Sequence, residues 1–190
     1  MLTRHRYTVV GWGVGELVVS DGVVVAHELP GDVAEPVRVS GPPAPKGGTR
    51  SPGVTLADEL RQDCDGSAPD LDGAEQLVES VVERVCEHLN GSATSYRDVP
   101  LDLSWCTTFQ TELAEALREV QWGEIVSYGE LAALAGRPGA ARAAGSFCAR
   151  NRFALMLPCH RVVSSDGIGG YGASGLVLKR RLLALEGVEL

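Results

Sequence analysis

Residues 127–151 read Ser127-Tyr-Gly-Glu130-Leu-Ala-Ala-Leu134-Ala-Gly136-Arg-Pro138-Gly-Ala-Ala-Arg142-Ala-Ala-Gly145-Ser-Phe-Cys148-Ala-Arg-Asn151. Ser127 followed by Glu130 is a capping box, in which each side chain satisfies a backbone N–H at the helix start. A helix is therefore expected from here through Leu134, and Ala135-Gly136 ends it. Pro138 suits a first helical position, where its missing N–H would go unbonded anyway. A second helix is expected from about Pro138 to Asn151. Helix, glycine-containing turn, helix is the helix-turn-helix pattern. Many helical hairpins bind nothing. Here the second helix carries a face of Gly and Ala with Arg142 projecting, which suits close approach to a surface.

Working outward, residues 152–163 deliver a lone cysteine: Arg152-Phe-Ala-Leu-Met-Leu157-Pro158-Cys159-His160-Arg161-Val162-Val163. Pro158 fixes its own φ and biases Leu157 toward extended backbone. A buried extended segment is expected to end there, at a rigid corner that presents the thiol. The thiolate is the nucleophile, and two potential cations, His160 and Arg161, follow at once. Free cysteine is also among the most buried residue types, so Cys-His alone does not decide between a reactive and a structural thiol.

On the other side of the helical pair, Thr107 or Thr108 can N-cap a helix to about Val120. Residues 73–89 space apolar side chains as an amphipathic helix does, closed by Asn90-Gly91. Tyr7 to Leu29 reads as a β-meander with a hairpin at Ser20-Asp21-Gly22. Between them, 35–53 is a Pro/Gly-rich loop, 54–64 a short helix and Cys64 to Asp72 an acidic turn region. Val99 to Leu103 reads as one last strand. After the cysteine, 165–172 is a Gly-rich turn whose spacing matches neither a dinucleotide nor a phosphate loop. Gly175 to Gly187 forms the last helix. The fold class is an α+β N-terminal domain over 1–100, a small sheet plus helix, followed by a mainly helical domain over 101–190 with a helix-turn-helix.

The chain has 190 residues and a net charge of −8. A mean hydropathy of +0.02 fits a globular protein. No apolar run approaches the ~20 residues that span a bilayer. The start, Met1-Leu-Thr-Arg-His-Arg-Tyr7, has no signal-peptide core, so a cytoplasmic location is expected. Five cysteines with no C-x-x-C pair argue against a disulfide framework. The charge opposes nucleic acid at first sight. However, residues 1–100 hold 8 Lys/Arg against 16 Asp/Glu, while 101–190 hold 9 of each. Arg137, Arg142, Arg150, Arg152 and Arg161 lie in a stretch free of acids from Leu131 to Ser165. A DNA-facing surface is thus confined to the second half, with a shallow salt dependence.

The ordered set FQTELAEALREV, WGEIVSYGELAALAG, RPGAARAAGSFCARN, PCHRVV and GGYGASGLVLKRRLLALEG, from Thr108 to Gly187, resembles the O6-alkylguanine-DNA alkyltransferases, the methylated-DNA–protein-cysteine methyltransferases. The first half carries almost no signature. The resemblance implies irreversible, single-turnover transfer of methyl or small alkyl groups from O6-alkylguanine in double-stranded DNA to Cys159. His160 matches the base that reaches the thiol through a water, and Glu186 the acid that orients it. Asn151 matches the residue that braces the turn. Tyr128 matches the residue that helps rotate the nucleotide and protonates the leaving guanine oxygen. Arg142 matches the finger that fills the gap left by the flipped base, with Ala141, Ala143 and Gly145 on the DNA-facing helix. Val162 and Cys159 carbonyls are implied to read the exocyclic amine, and Tyr171, Ala173 and Ser174 to close the pocket.

By the residues alone, Glu186 reads as a solvated acid near the C-terminus and Tyr128 as an ordinary half-buried tyrosine. Arg161 is read as structural. Two departures stand out. Arg152 replaces the family's usual proline and offers a phosphate contact. The lid Tyr171-Gly172-Ala173-Ser174-Gly175 is displaced by one position from Gly-Tyr-x-Gly-Gly. Cys148 is read as core. His5, His27, Cys64, Cys86 and His88 give no metal spacing, so neither metal nor cofactor is expected. The chain is expected to be a monomer. Two rival readings are a non-catalytic alkyl-base sensor, opposed by the thiol, and a thiol hydrolase using Cys159, His160 and Glu186.

Overall fold

The computed structural model describes residues 1–31, 73–172 and 175–190. The loop, short helix and acidic turn expected within 35–72 lie outside the described residues, as do Ala173 and Ser174. Strands β1 (Leu2–Val9), β2 (Gly13–Ser20) and β3 (Val23–Gly31) form an antiparallel sheet in the order β1-β2-β3. The expected hairpin joins β2 to β3, with Asp21 and Gly22 both at positive φ, as a two-residue type I′ turn requires. β1 begins well before Tyr7. Its alternation of exposed and partly buried residues suits an edge strand with one wet face.

Helix α1 (Gly73–Leu89) packs on β1 and β2 with Val78, Val81, Val85, His88 and Leu89 buried. Val99 to Leu103 is not a strand. It makes a single bridge, Leu101 to Val24, because Pro100 has no N–H and only its carbonyl and the Asp102 N–H reach Val24.

In the second half, α2 (Thr108–Glu119) starts at a Thr107–Gln110 capping box. β4 (Val126–Ser127) leads into α3 (Tyr128–Leu134), whose Ser127–Glu130 capping box is as expected. Helix α4 (Ala141–Cys148) is shorter than the sequence reading. Gly139 at φ +90° belongs to the turn, so Pro138 stays outside the helix, and the chain leaves the helix at Ala149. Residues 151–158 are irregular rather than a strand, touching β3 through one bridge, Phe153 to His27. Cys159–Arg161 is a single 3₁₀ turn, followed by β5 (Val162–Val163), parallel to β4, and α5 (Gly175–Leu185).

One hydrophobic core runs through both halves, from Tyr7, Leu17 and Val85 to Leu117, Phe147, Phe153 and Leu182. Trp12 donates from its indole to the Leu89 carbonyl at 3.0 Å, and Arg181 stacks 3.5 Å over the Trp12 ring. No helix among the described residues is long and apolar enough to cross a membrane.

Candidate active site

Three connected layers make the site. In front, Cys159 is 7% exposed and opens on a cavity of about 120 Å³ lined by Tyr128, Gly145, Cys148, Gly170, Tyr171 and Gly172. A larger cavity of about 220 Å³ lies on the far side of the motif, against Thr94, Arg118, Trp122 and Pro158. It contains no thiol, so the smaller cavity is where chemistry at sulfur can occur.

Asn151 sits between helix α4 and the thiol. Its Nδ2 donates to the Leu157 carbonyl at 2.8 Å and to Cys159 Sγ at 3.0 Å, while its Oδ1 accepts from the Phe153 N–H at 2.9 Å. One amide thus fixes both ends of the irregular segment and touches the sulfur.

Behind the thiol lies a buried ionic cluster. Glu186 Oε1 accepts from His160 Nε2 at 2.9 Å and from Arg161 Nη2 at 2.8 Å. Its Oε2 accepts from Arg161 Nε at 2.9 Å and from the Gly123 N–H at 3.3 Å. Arg161 Nη1 donates to the Val120 carbonyl at 2.7 Å. Burial alone would raise the Glu186 pKa, but the bonds from His160 and Arg161, with His88 close by, outweigh it and hold the carboxyl well below its usual range. Burial pulls the His160 pKa down to about 4, against the pull of Glu186. His160 is therefore neutral at pH 7. With Nε2–H donated to the carboxylate, Nδ1 carries the lone pair, and it has no hydrogen-bond partner among the described residues. That is the protonation state of a base.

The thiol differs from the sequence expectation. Of the two potential cations beside Cys159, Arg161 is paired with Glu186 and bonded to the Val120 carbonyl, in keeping with a structural role, and His160 is neutral. Burial raises the Cys159 pKa, opposed by the Asn151 bond and by the charge of Lys179. The resting group is a thiol, so a thiolate has to be made on demand. Lys179, fully buried on α5, was missed as a site residue. Its ammonium donates to the carbonyls of Val162 at 2.6 Å, Ile168 at 2.6 Å and Gly170 at 3.1 Å, gathering the Gly-rich turn around the cavity. The signal was in the sequence: Lys179 is three and four positions before the buried Leu182 and Leu183, on the apolar stripe. His88 was missed in the same way. It lies on the stripe of Val81 and Val85, and its Nε2 comes within 3.4 Å of Glu186 Oε1.

Of the remaining expected residues, Tyr128, Gly145 and Tyr171 line the cavity. Tyr128 starts α3, half-buried, with its hydroxyl 3.4 Å from the Gly170 carbonyl. Its ring lies 3.7 Å from where a Cβ on Gly145 would stand. Arg142 and Ala143 are exposed on α4, and Ala141 and Gly145 partly so. The Val162 carbonyl is already bonded to Lys179, and that of Cys159 to the Val162 N–H, which leaves each one lone pair. Arg152 is half-buried, with its guanidinium 4.8 Å over the Trp105 ring. Cys148 lines the cavity instead of sitting wholly in the core.

His88, His160 and Glu186 bring three potential ligand atoms within 4.8 Å of one another. They do not suit a cation. The Arg161 guanidinium occupies both carboxylate oxygens and already supplies the positive charge.

A model of the DNA-binding domain of 6-O-methylguanine DNA methyltransferase matches residues 108–188. A methylated-DNA–protein-cysteine methyltransferase of Methanothermobacter thermautotrophicus is 31% identical over 137 residues, spanning 72% of this chain and 74% of that protein. One from Metallosphaera sedula is 37% identical over 105 residues, 55% of this chain and 65% of the relative, so the match spans just under two thirds of that protein. Among solved structures, the Mycobacterium tuberculosis protein described as OGT in complex with DNA superposes with a TM-score of 0.65 at 29% identity, over 97% of this chain and 92% of that one.

Proposed function

The chain belongs to the 6-O-methylguanine DNA methyltransferase family, and from that footing we propose that it repairs DNA by direct reversal, taking methyl or small alkyl groups from O6-alkylguanine onto Cys159, once per molecule. One observation carries this reading: a thiol at the mouth of a cavity, touched by Asn151, with a neutral histidine held on a buried carboxylate in the next residue.

The proposed chemistry is displacement at saturated carbon. The Cys159 proton passes through a water to His160, and Glu186 stabilises the imidazolium. The sulfur–carbon bond forms as the carbon–O6 bond breaks, and the bonding pair leaves with the guanine. Tyr128 gives the guanine a proton as a neutral hydrogen-bond donor and regains one from solvent, as His160 loses one. A thioether has no good leaving group, so the thiol is not restored.

The target base must leave the duplex to reach sulfur. Helices α3 and α4 act as the helix-turn-helix, with α4 in the minor groove and Arg142 in the gap. The small side chains of Ala141, Ala143 and Gly145 permit close approach. Arg152, steadied on Trp105, takes a phosphate. Tyr171, with Ala173 and Ser174, closes over the base, and the free lone pairs on the Cys159 and Val162 carbonyls accept from its exocyclic amine. Residues 101–190 form the DNA-binding and transferase domain, and 1–100 a domain that supports it. The protein acts as a monomer on double-stranded DNA.

Incubation with duplex DNA carrying O6-methylguanine tests this. Intact mass is expected to rise once, by one methylene's worth, on the peptide of Cys159. Cys159→Ser is expected to show no rise. Uptake by that variant, or turnover beyond one equivalent, would refute the proposal.

A further inference from the structure

We propose that His88, on helix α1 of the first half, is a positioning residue for the base: it shares the Glu186 carboxylate with His160 and thereby limits how readily His160 takes a proton. The inference rests on the transferase reading, in which His160 receives the thiol proton.

The geometry around Glu186 is crowded. A carboxylate offers about four lone-pair directions. His160 and Arg161 fill those of Oε1, and Arg161 and the Gly123 N–H fill those of Oε2. His88 Nε2 is a fifth donor at 3.4 Å from Oε1, fully buried and without a hydrogen bond among the described residues. Its Nδ1 lies 3.0 Å from Thr94 Oγ1. With the Thr94 hydroxyl donating to Nδ1, the His88 proton sits on Nε2, beside the carboxylate but without the alignment of a hydrogen bond. The ring is wedged edge-on against Trp122, with centroids 4.7 Å apart, and tilted on Tyr96 at 5.9 Å. The two imidazoles stand 6.2 Å apart at 78°.

Consequences for charge follow. Glu186 and Arg161 cancel. A proton on His160 gives the cluster one buried positive charge, and a second on His88 would face both that charge and Arg161. The pair therefore holds at most one proton. While neutral, His88 still draws on the oxygen that would stabilise the His160 imidazolium. The groups bearing on the two rings are Glu186, Arg161, Tyr96, His27 across from His88 and, against Glu186 from the cavity side, Tyr171. The first half of the chain, whose sequence carries almost no family signature, thus reaches the base beside the thiol.

The test follows imidazole ¹⁵N shifts of the full-length protein against pH, without DNA, beside the pH profile of single-turnover transfer. His88→Phe keeps a ring and removes the donor. The His160 midpoint is expected to move up by about half a unit or more, roughly a threefold gain in proton affinity. The acid limb of the transfer rate should move with it. His88→Gln, which restores an N–H donor, is expected to return both toward the parent. Should His88→Phe fail to fold, Thr94→Val, which removes the bond that sets the His88 tautomer, is expected to give a smaller shift in the same direction. A folded variant whose His160 midpoint stays put or falls would overturn the inference, since mere loss of packing slows transfer at every pH. Absence of transfer in the parent would instead count against the transferase reading, while the ¹⁵N titration still decides the role of His88.

Discussion

Replacing Glu186 by leucine strips the buried cluster of its only anion. Arg161 is 6% exposed and loses both bonds to the carboxylate, keeping only the Val120 carbonyl. Removing one partner of a buried pair costs about 3–5 kcal/mol, because the survivor is left as an uncompensated charge. A domain of this size has about 5–15 kcal/mol to lose. With a urea slope of about 2 kcal/mol per molar, the midpoint should fall by roughly 2 M. The double variant Glu186→Leu/Arg161→Met removes both ions and should recover most of that loss. Both variants should transfer alkyl groups at least about 100-fold more slowly at pH 7, because His160 no longer has the acceptor that fixes its tautomer. Urea melts followed by tryptophan fluorescence, beside single-turnover assays, measure this. A single variant that loses under about 1 kcal/mol, or a double no more stable than the single, would refute the view of the cluster as a desolvated ion pair.

Three further outcomes are expected. Burial lowers the His27 pKa to about 4, so below the ordinary imidazole value the unfolded chain takes up a proton that the folded one refuses. Stability should be full above about pH 6.5 and fall toward pH 4, with His27 alone accounting for about 2 kcal/mol at pH 5; thermal melts that are flat between pH 7.5 and 5 would contradict this. Lys179→Met takes a donor from three carbonyls, of which that of Gly170 keeps the Tyr128 hydroxyl, at about 1 kcal/mol or more for each carbonyl left unpaired, and should slow the reaction of Cys159 with iodoacetamide, as the nearby cation is gone. Arg142→Ala should leave the melting transition unchanged within about 0.5 kcal/mol, because the side chain is exposed, yet slow transfer from duplex DNA; equal transfer rates on duplex substrate would remove it from the flipping step.

What could be read from the sequence was what is local. The Ser127–Glu130 and Thr107 caps, the Asp21-Gly22 hairpin and the α1 stripe each depend on residues within a few positions, and each appears where expected. Helix α4 starts later than the sequence reading: Pro138 is compatible with a helix start, while Gly139 at positive φ lies in an exposed turn closed by the Ala140 N–H on the Arg137 carbonyl. The resemblance supplied Cys159, His160, Glu186 and Asn151, and the geometry joins them into one site. His88 and Lys179 escaped because their partners are distant carbonyls and a carboxylate 98 residues away, which no local pattern encodes. Both stood on apolar stripes, and a titratable group on a buried stripe was the available clue.

The first half also bears on the segment between Asn151 and Pro158. Leu155 has φ +66°, a left-handed conformation that costs a residue with a Cβ about 1–2 kcal/mol. It is 2% exposed and has no room to relax outward. On one side of it, the His27 N–H donates to the Arg152 carbonyl at 2.7 Å, and His27 Nδ1 donates to the Ala154 carbonyl at 2.7 Å. Tyr7 closes the arrangement by donating to His27 Nε2 at 2.5 Å, which fixes that tautomer. On the other side, Asn151 holds the Leu157 carbonyl. The strained residue is thus pinned between strand β3 and the asparagine that touches the sulfur. A backbone kept in an unfavourable region by contacts on both flanks holds its geometry against small pulls, because any relaxation must break one of those bonds first. Two buried histidines of the first half therefore serve the thiol from opposite sides: His27 by fixing the backbone that leads into it, His88 by crowding the carboxylate behind its base.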